Sequence, residues 1–381
     1  MSTDTPAPTD VEFETIDWSE FDERWLNVTR KQLAIAASLV LYTVALVIDF
    51  VVRDGQPFFA IDRDLVLFEA SFELAPDRVD WLFALTLLLG FWYIVVPLYQ
   101  NKRMTRYYWK QFRKNKAAII SLLYLGFIFL VGIVGPYIIG YPELDFGNAR
   151  QPPIGFGGTW ENPLGTTRTG EDILQISVVG MRVSMQVGLI ATMVSLVLAT
   201  AVGTTAAFMG GWIDEVLMRF VDLLLTFPTF FLILFLVYVY GGDMFLLIII
   251  LAFTGWGGAA RLIRSEALQR SEEAYTQAAE SAGAGRGYII RRHIVPNVSN
   301  TVITAATLSI PVLILFEAVI AFLGFGDPNV WSWGRAISVG RGELQTAWWI
   351  STIPGIFLFT TVLAFNFLGD ALRDALDPRH E

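Results

Sequence analysis

Cysteine is absent from this 381-residue chain, which excludes disulfides, thiolate metal sites and thiol chemistry. Histidine is nearly absent: His293 and His380 are too far apart to form an HExxH-type zinc site. Lysine occurs five times and is never followed by Ser or Thr, so there is no Walker A phosphate loop, and nothing else looks like a nucleotide site. Charge is also scarce, at 17% of residues. No acid is paired with a nucleophile and no serine has a usable base, so the sequence does not read as an enzyme. It calls for no metal and no cofactor.

Apolar residues are abundant, at 54%, with a mean hydropathy of +0.52, and they recur in long blocks. That pattern marks a multi-pass membrane protein, expected to fold as an all-α helical bundle. The blocks are Leu33–Val52, Trp81–Leu98, Ala118–Ile139, Val183–Met209, Trp212–Tyr240 with Pro228 as a kink, Met244–Leu262, Thr301–Phe322 and Trp348–Leu368. Ahead of them, Met1–Asn27 is acidic and lacks the basic and apolar regions of a signal peptide. It reads as a solvated tail, with a short amphipathic turn at Ser19–Trp25 as the other reading. Arg53–Asp80 reads as a polar loop.

Net charge is −9, and 22 of the 27 basic residues are arginine. An acidic soluble surface points to a salt-adapted prokaryotic source. Against that balance, Gln100–Lys116 carries Lys102, Arg103, Arg106, Lys110, Arg113, Lys114 and Lys116 without one acid. Between two spans such a cluster is a cytoplasmic loop under the positive-inside rule, not a nucleic-acid site. Alternation from this anchor gives eight spans, both termini cytoplasmic, and Tyr141–Gln175 and Gly324–Gln345 outside.

The same alternation places Ser265–Asn297 in the cytoplasm. Ala267–Ala282 has strong helix formers and no proline, with Ala278, Ala279 and Ala282 leaving one side without bulk. Gly283 and Gly285 permit a sharp turn, and Tyr288–Ile294 resumes a helical pattern expected to stop at Pro296. The result is a compact knob. Its small-residue face could pack against the chain's own spans or receive a separate soluble protein.

Three further groups could carry chemistry or structure. Glu317 lies within a span, where a carboxylate costs about 2.5–3.5 kcal/mol on insertion scales, so it should face the bundle interior or a polar path. Its readings are a residue lining a translocation pathway or a buried acid serving packing. Arg219 and Asp222, three apart, read as a structural pair at the membrane boundary. Asp370, Arg373 and Asp374 read as a solvated, interfacial end.

YTQAAESAGAGRGYIIRRHIVPN closely resembles the cytoplasmic "EAA" loop of permease subunits in ATP-binding-cassette importers. Ala278, Ala279, Gly283, Arg292, His293, Ile294, Pro296 and Asn297 match; Gln277 replaces the usual Glu and Val295 the usual Leu. ENPLGTTRTGEDIL, GGWIDEVLMRFVDLLLTFP, FEAVIAFLGFG, SWG at Ser332–Gly334 and LAFNFLGDALRDALDP are similar to the dipeptide/oligopeptide/nickel branch, second permease type. Asn162 for His and Glu171 for Arg depart from the outer-loop motif. The resemblance covers about Lys110 to Arg379.

The resemblance implies a six-span core in residues 110–381, preceded by an acidic tail (1–30) and an extra two-helix module with the basic loop (31–109). Implied partners are a homologous second permease, two ATP-binding subunits, an extracytoplasmic solute-binding protein and membrane lipid. Gln277, Ala278, Ala279, Gly283, His293 and Pro296 would couple to the ATPase, and Glu317 would belong to the path. The competing reading is a channel or secondary carrier working without an ATPase. Such a carrier should show more intramembrane ionisable residues and an internal repeat than this sequence does.

Overall fold

The computed structural model describes residues 30–53, 59–65, 68–74 and 76–376. The acidic tail and the Ser19–Trp25 turn therefore lie outside the described residues. The chain divides into two compact units, Met1–Asp54 and Gly55–Glu381. In the first, helix α1 (Arg30–Val47) continues as a π-helical stretch to Arg53. The hydroxyls of Ser38 and Thr43 bond back to the carbonyls of Ile35 and Leu39, which lets both sit in an apolar helix.

The second unit opens with an antiparallel hairpin, β1 (Phe59–Leu65) and β2 (Phe68–Leu74), with Phe59 opposite Leu74 and Leu65 opposite Phe68. It occupies the segment expected to be a loop. The sequence explains the difference: Phe68, Ala70, Phe72 and Leu74 alternate with Glu69, Ser71 and Glu73, the period-2 pattern of a strand.

Helices follow. α2 (Arg78–Gly90) runs on through Phe91–Val95 and Val96–Gln100 as one span, and α3 (Lys102–Phe112) is a short basic helix. The core is α4 (Lys116–Ile139), α5 (Ile173–Met209), α6 (Gly211–Thr226), α7 (Thr229–Tyr240), α8 (Met244–Thr254) and α9 (Gly257–Ser271). After the knob come α12 (Ser299–Phe322), the short α13 (Trp333–Gly340) and α14 (Trp349–Leu376); the knob supplies α10 (Ala274–Ser281) and α11 (Arg286–Ile289). Seven of the described helices or helix pairs are long and apolar enough to cross a membrane, and α6 with α7 makes an eighth if the pair is one span.

That pair corrects one expectation. Pro228 does not merely kink a span: α6 and α7 meet at 83°. Phe227 is extended, and Pro228 has no N–H to carry the helical ladder across the break. The Arg219–Asp222 pair is a second correction, because Asp222 bonds Arg261 of α9 at 2.5 Å instead. Arg264 of α9 forms a two-pronged pair with Asp214 of α6. Both bridges connect α6 to α9.

α5, about 55 Å long at 1.5 Å per residue, is the axis of the bundle. It packs on α4, α8, α9, α12 and α14 and is buried along most of its length. Its C-terminal half approaches α9 closely: a Cβ on Gly203 would stand 2.7 Å from the Ala260 carbonyl oxygen. α5 therefore links two features at its opposite ends.

Candidate functional site

At the C-terminal end of α5 sits the knob. Its first helix is not the continuous Ala267–Ala282 segment expected from propensity. α9 ends at Ser271, Glu273 is extended, and α10 restarts at Ala274. The hydroxyl of buried Thr276 bonds the Arg270 carbonyl at 2.9 Å, and Arg270 is drawn to Glu266 and Glu273. Local side-chain bonding outcompetes helix propensity here.

Gly283 ends α10 as the elbow. Its φ is +81°, its N–H donates to the Glu280 carbonyl, and Ala284 N–H donates to the Ala279 carbonyl. This is a Schellman stop, which needs a residue in the left-handed region. α11 then continues through a π-helical stretch, Ile290–Ile294, into Val295–Asn297. Pro296 does not stop the helix: it sits in the first turn after the wide turn, where a missing N–H costs nothing. Asn297 caps back onto the His293 carbonyl at 2.7 Å.

The knob is anchored by Ile289, Ile294 and Val298, all fully buried against Ala199, Trp256, Ala260, Ile263 and Ala267. His293 lies between Tyr275 and Tyr288, with ring centroids about 6 Å away on both sides. Small residues divide between two duties. Ala279 and Ala284 pack inward on this cluster, whereas Ala278, Ala282 and Gly283 are exposed beside exposed Gln277 and Tyr288. Gln277 bonds the Glu272 carbonyl at 3.0 Å.

At the other end of α5 a cavity of about 970 Å³ opens between α2, α4, the 140–172 loop and α5. Within it Arg182 bonds Asp80, contributed by α2, and Gln186 donates to the same carboxylate oxygen at 2.7 Å. Arg182 also donates to the Tyr141 hydroxyl at 3.1 Å and covers the Tyr137 ring. Sequence reasoning missed this cluster, because α5 begins well before Val183 and places Arg182 inside the helix. The pairing of Arg182 with Gln186 at i, i+4 on one face was the available signal.

The loop over the cavity is ordered by polar contacts. Glu171 is buried and accepts from the hydroxyls of Thr167 and Thr169, and Asn162 donates to the Gln151 side chain at 2.9 Å. Both substitutions relative to the outer-loop motif are thus built into local bonding. Asp172 caps α5 through the Leu174 N–H, and burial pushes its carboxyl up to about 6. A raised carboxyl stabilises the fold only while protonated, so that contribution is lost as pH rises through about 6. Asp172→Asn keeps the cap acceptor and removes the charge. Its melting temperature should exceed that of the unmodified chain at pH 8, with the advantage gone below pH about 4 in a pH series of thermal melts.

Glu317 is 3% exposed on α12, lies close to Ser332 at the start of α13, and does not line the large cavity. Next to Ser332, fully buried Trp333 stacks on Phe357 and donates to the Ser177 carbonyl at 3.0 Å. Asp370, Arg373 and Asp374 are exposed at the end of α14.

Residues 177–381 match the family described as the binding-protein-dependent transport system inner membrane component, and residues 104–153 match the N-terminal TM domain of oligopeptide transport permease C. The oligopeptide transport system permease protein OppC of Haemophilus influenzae is 36% identical over 273 residues, 71% of this chain and 87% of that protein. OppC of Escherichia coli K12 is 34% identical over 71% of this chain and 89% of its own length. The dipeptide transport system permease protein DppC of Alkalihalophilus pseudofirmus is 36% identical over 71% and 88%. A chain of the MetNI methionine ABC transporter, inward facing, overlaps 53% of this chain and 97% of itself at 17% identity and a TM-score of 0.42. α1 and α2 precede both family matches. The family favours the transport-subunit reading over the ATPase-independent carrier. The chain belongs to the inner-membrane permease subunits of ATP-binding-cassette importers, in the oligopeptide and dipeptide branch.

Proposed function

We propose that this permease forms one half of a peptide-import path, paired with a homologous permease in the cell membrane. Two ATP-hydrolysing subunits bind on the cytoplasmic side, at the knob, and a solute-binding protein delivers from the other side. Both termini are cytoplasmic. The named relatives that move oligopeptides and dipeptides support this solute class. One observation carries the coupling role: the exposed Ala278, Ala282 and Gly283 surface is anchored by buried Ile289, Ile294 and Val298, which join it to α9 and α12. A rigid projection rooted in two spans converts movement of a docked ATPase into tilt of those spans.

Gln277 in place of Glu keeps a hydrogen-bonding amide at the contact but no charge. His293 and Pro296 hold the second segment in register ahead of α12. The chain has no cysteine, so Ala278→Cys is a unique thiol. In membranes that import peptide it should crosslink to an ATPase subunit, and two ATPases with a second permease should co-purify. Absence of any ATPase adduct during active uptake would refute the docking role.

Glu317 is proposed as part of the path when the contact with Ser332 opens during transport. Glu317→Gln should then alter the uptake rate with the complex still assembled. Unchanged kinetics would assign this carboxylate to packing between α12 and α13.

A further inference from the structure

The basic helix α3 is not explained by coupling or by the path. Gln100 ends one span, Lys116 begins the next, and only Asn101 and residues 113–115 connect α3 to them. Links this short confine the helix to the membrane boundary. At 3.6 residues per turn, Lys102, Arg103, Arg106 and Lys110 fall within an arc of about 100°. Phe112 is buried on the opposite side, against Ala118, Ala371 and Ala375. The cationic arc is exposed, and exposed Trp109 and Tyr107 flank it on either edge.

Arg106, Trp109, Lys110, Arg113 and Lys114 together line a concavity of about 470 Å³. No ion pair to any of these cations occurs among the described residues. The contrast with the rest of the chain is sharp, since the whole protein carries a net charge of −9. A cationic recess without an ion pair among the described residues, edged by amphipathic aromatic rings at headgroup depth, has the chemistry of a phosphate receptor in a lipid surface. Arginine there can grip a phosphate through two N–H groups at once, and the neighbouring lysines and arginines repel the ammonium that a zwitterionic headgroup carries beside its phosphate.

We propose that α3 and its Arg106–Lys114 recess bind the headgroup phosphate of an anionic phospholipid, fixing the start of α4 and the end of α14 at the membrane surface. The test uses the full chain purified with its partner subunits, incorporated into vesicles of equal phosphatidylglycerol and phosphatidylcholine, and re-extracted. Lipid retained by the complex is then counted by native mass spectrometry. Phosphatidylglycerol should be retained at least fivefold over phosphatidylcholine, and the Arg106→Gln/Lys110→Gln/Arg113→Gln variant should lose most of that preference.

Arg168→Gln, in the exposed loop at the other end of the bundle, should retain it. Arg106→Lys/Arg113→Lys, which keeps charge but not the paired N–H geometry, should retain part of it and so separates loss of binding from loss of folding. Equal retention of the two lipids, or a preference untouched by the triple variant, overturns the proposal. So does elimination of the preference by inorganic phosphate at unchanged ionic strength, which would assign the recess to a free anion.

Discussion

Gly283→Pro is expected to bring peptide uptake to background while the protein still inserts in the membrane. Gly283 has a φ of +81°, and proline is locked near −65°, so the elbow cannot form as observed. Proline also deletes the N–H that donates to the Glu280 carbonyl, and it disfavours helical geometry at Ala282, the cap residue before it. The combined cost is about 3 kcal/mol or more, concentrated in a projection that has few contacts of its own beyond its anchors. Redirecting α11 swings Tyr288 and the exposed alanine face away from any docked partner. Gly283→Ala is the graded control: left-handed geometry costs an L-residue about 1–2 kcal/mol, so partial uptake should remain.

A bulky residue at Ala279 should have a related but separable effect. Ala279 packs on the chain's own cluster, so Ala279→Trp displaces the whole knob from α9, whereas Ala278→Trp obstructs only the exposed face. Both should uncouple ATP hydrolysis from uptake, measured side by side in proteoliposomes. Only the first should also lower the melting temperature. Full uptake by Gly283→Pro together with Ala278→Trp would remove the knob from the coupling route.

Much of this arrangement was legible in the sequence for identifiable reasons. Met209 was readable as a helix end because two glycines follow it, and Gly283 as an elbow because glycine takes a left-handed conformation without steric cost. Bilayer-length apolar runs fixed the spans because membrane burial tolerates few alternatives. What stayed hidden depended on partners distant in sequence or on competition between near-equal local states. The break at Glu272–Glu273 rests on the Thr276 hydroxyl reaching the Arg270 carbonyl. Asp222 chose Arg261 over Arg219, three residues away, because α6 and α9 lie side by side. The hairpin at residues 59–74 was masked by charges inside an otherwise alternating pattern. Asp80 and Arg182 are 102 positions apart, and neither carries a motif that names the other.

That last pair yields the second large expectation. Asp80→Ala should destabilise the assembled permease by about 3 kcal/mol, the lower end of the cost of removing one partner of a buried ion pair. Both side chains retain some exposure, 14% for Arg182 and 17% for Asp80, which argues for the lower end. The remaining guanidinium would keep the Tyr141 hydroxyl and the Tyr137 ring, but Gln186 would lose its acceptor as well. Arg182→Met in the Asp80→Ala background should recover most of the loss, because the unpaired charge and not the missing contact is the main cost. Thermal melts of the four proteins in this cycle, all in one detergent and at one salt concentration, measure the coupling directly. A large coupling makes α2, which precedes both family matches, an electrostatically fastened part of the core, held where Val79 and Phe83 already pack. Additive effects of the two substitutions would leave the Gln186 hydrogen bond and apolar packing to hold it.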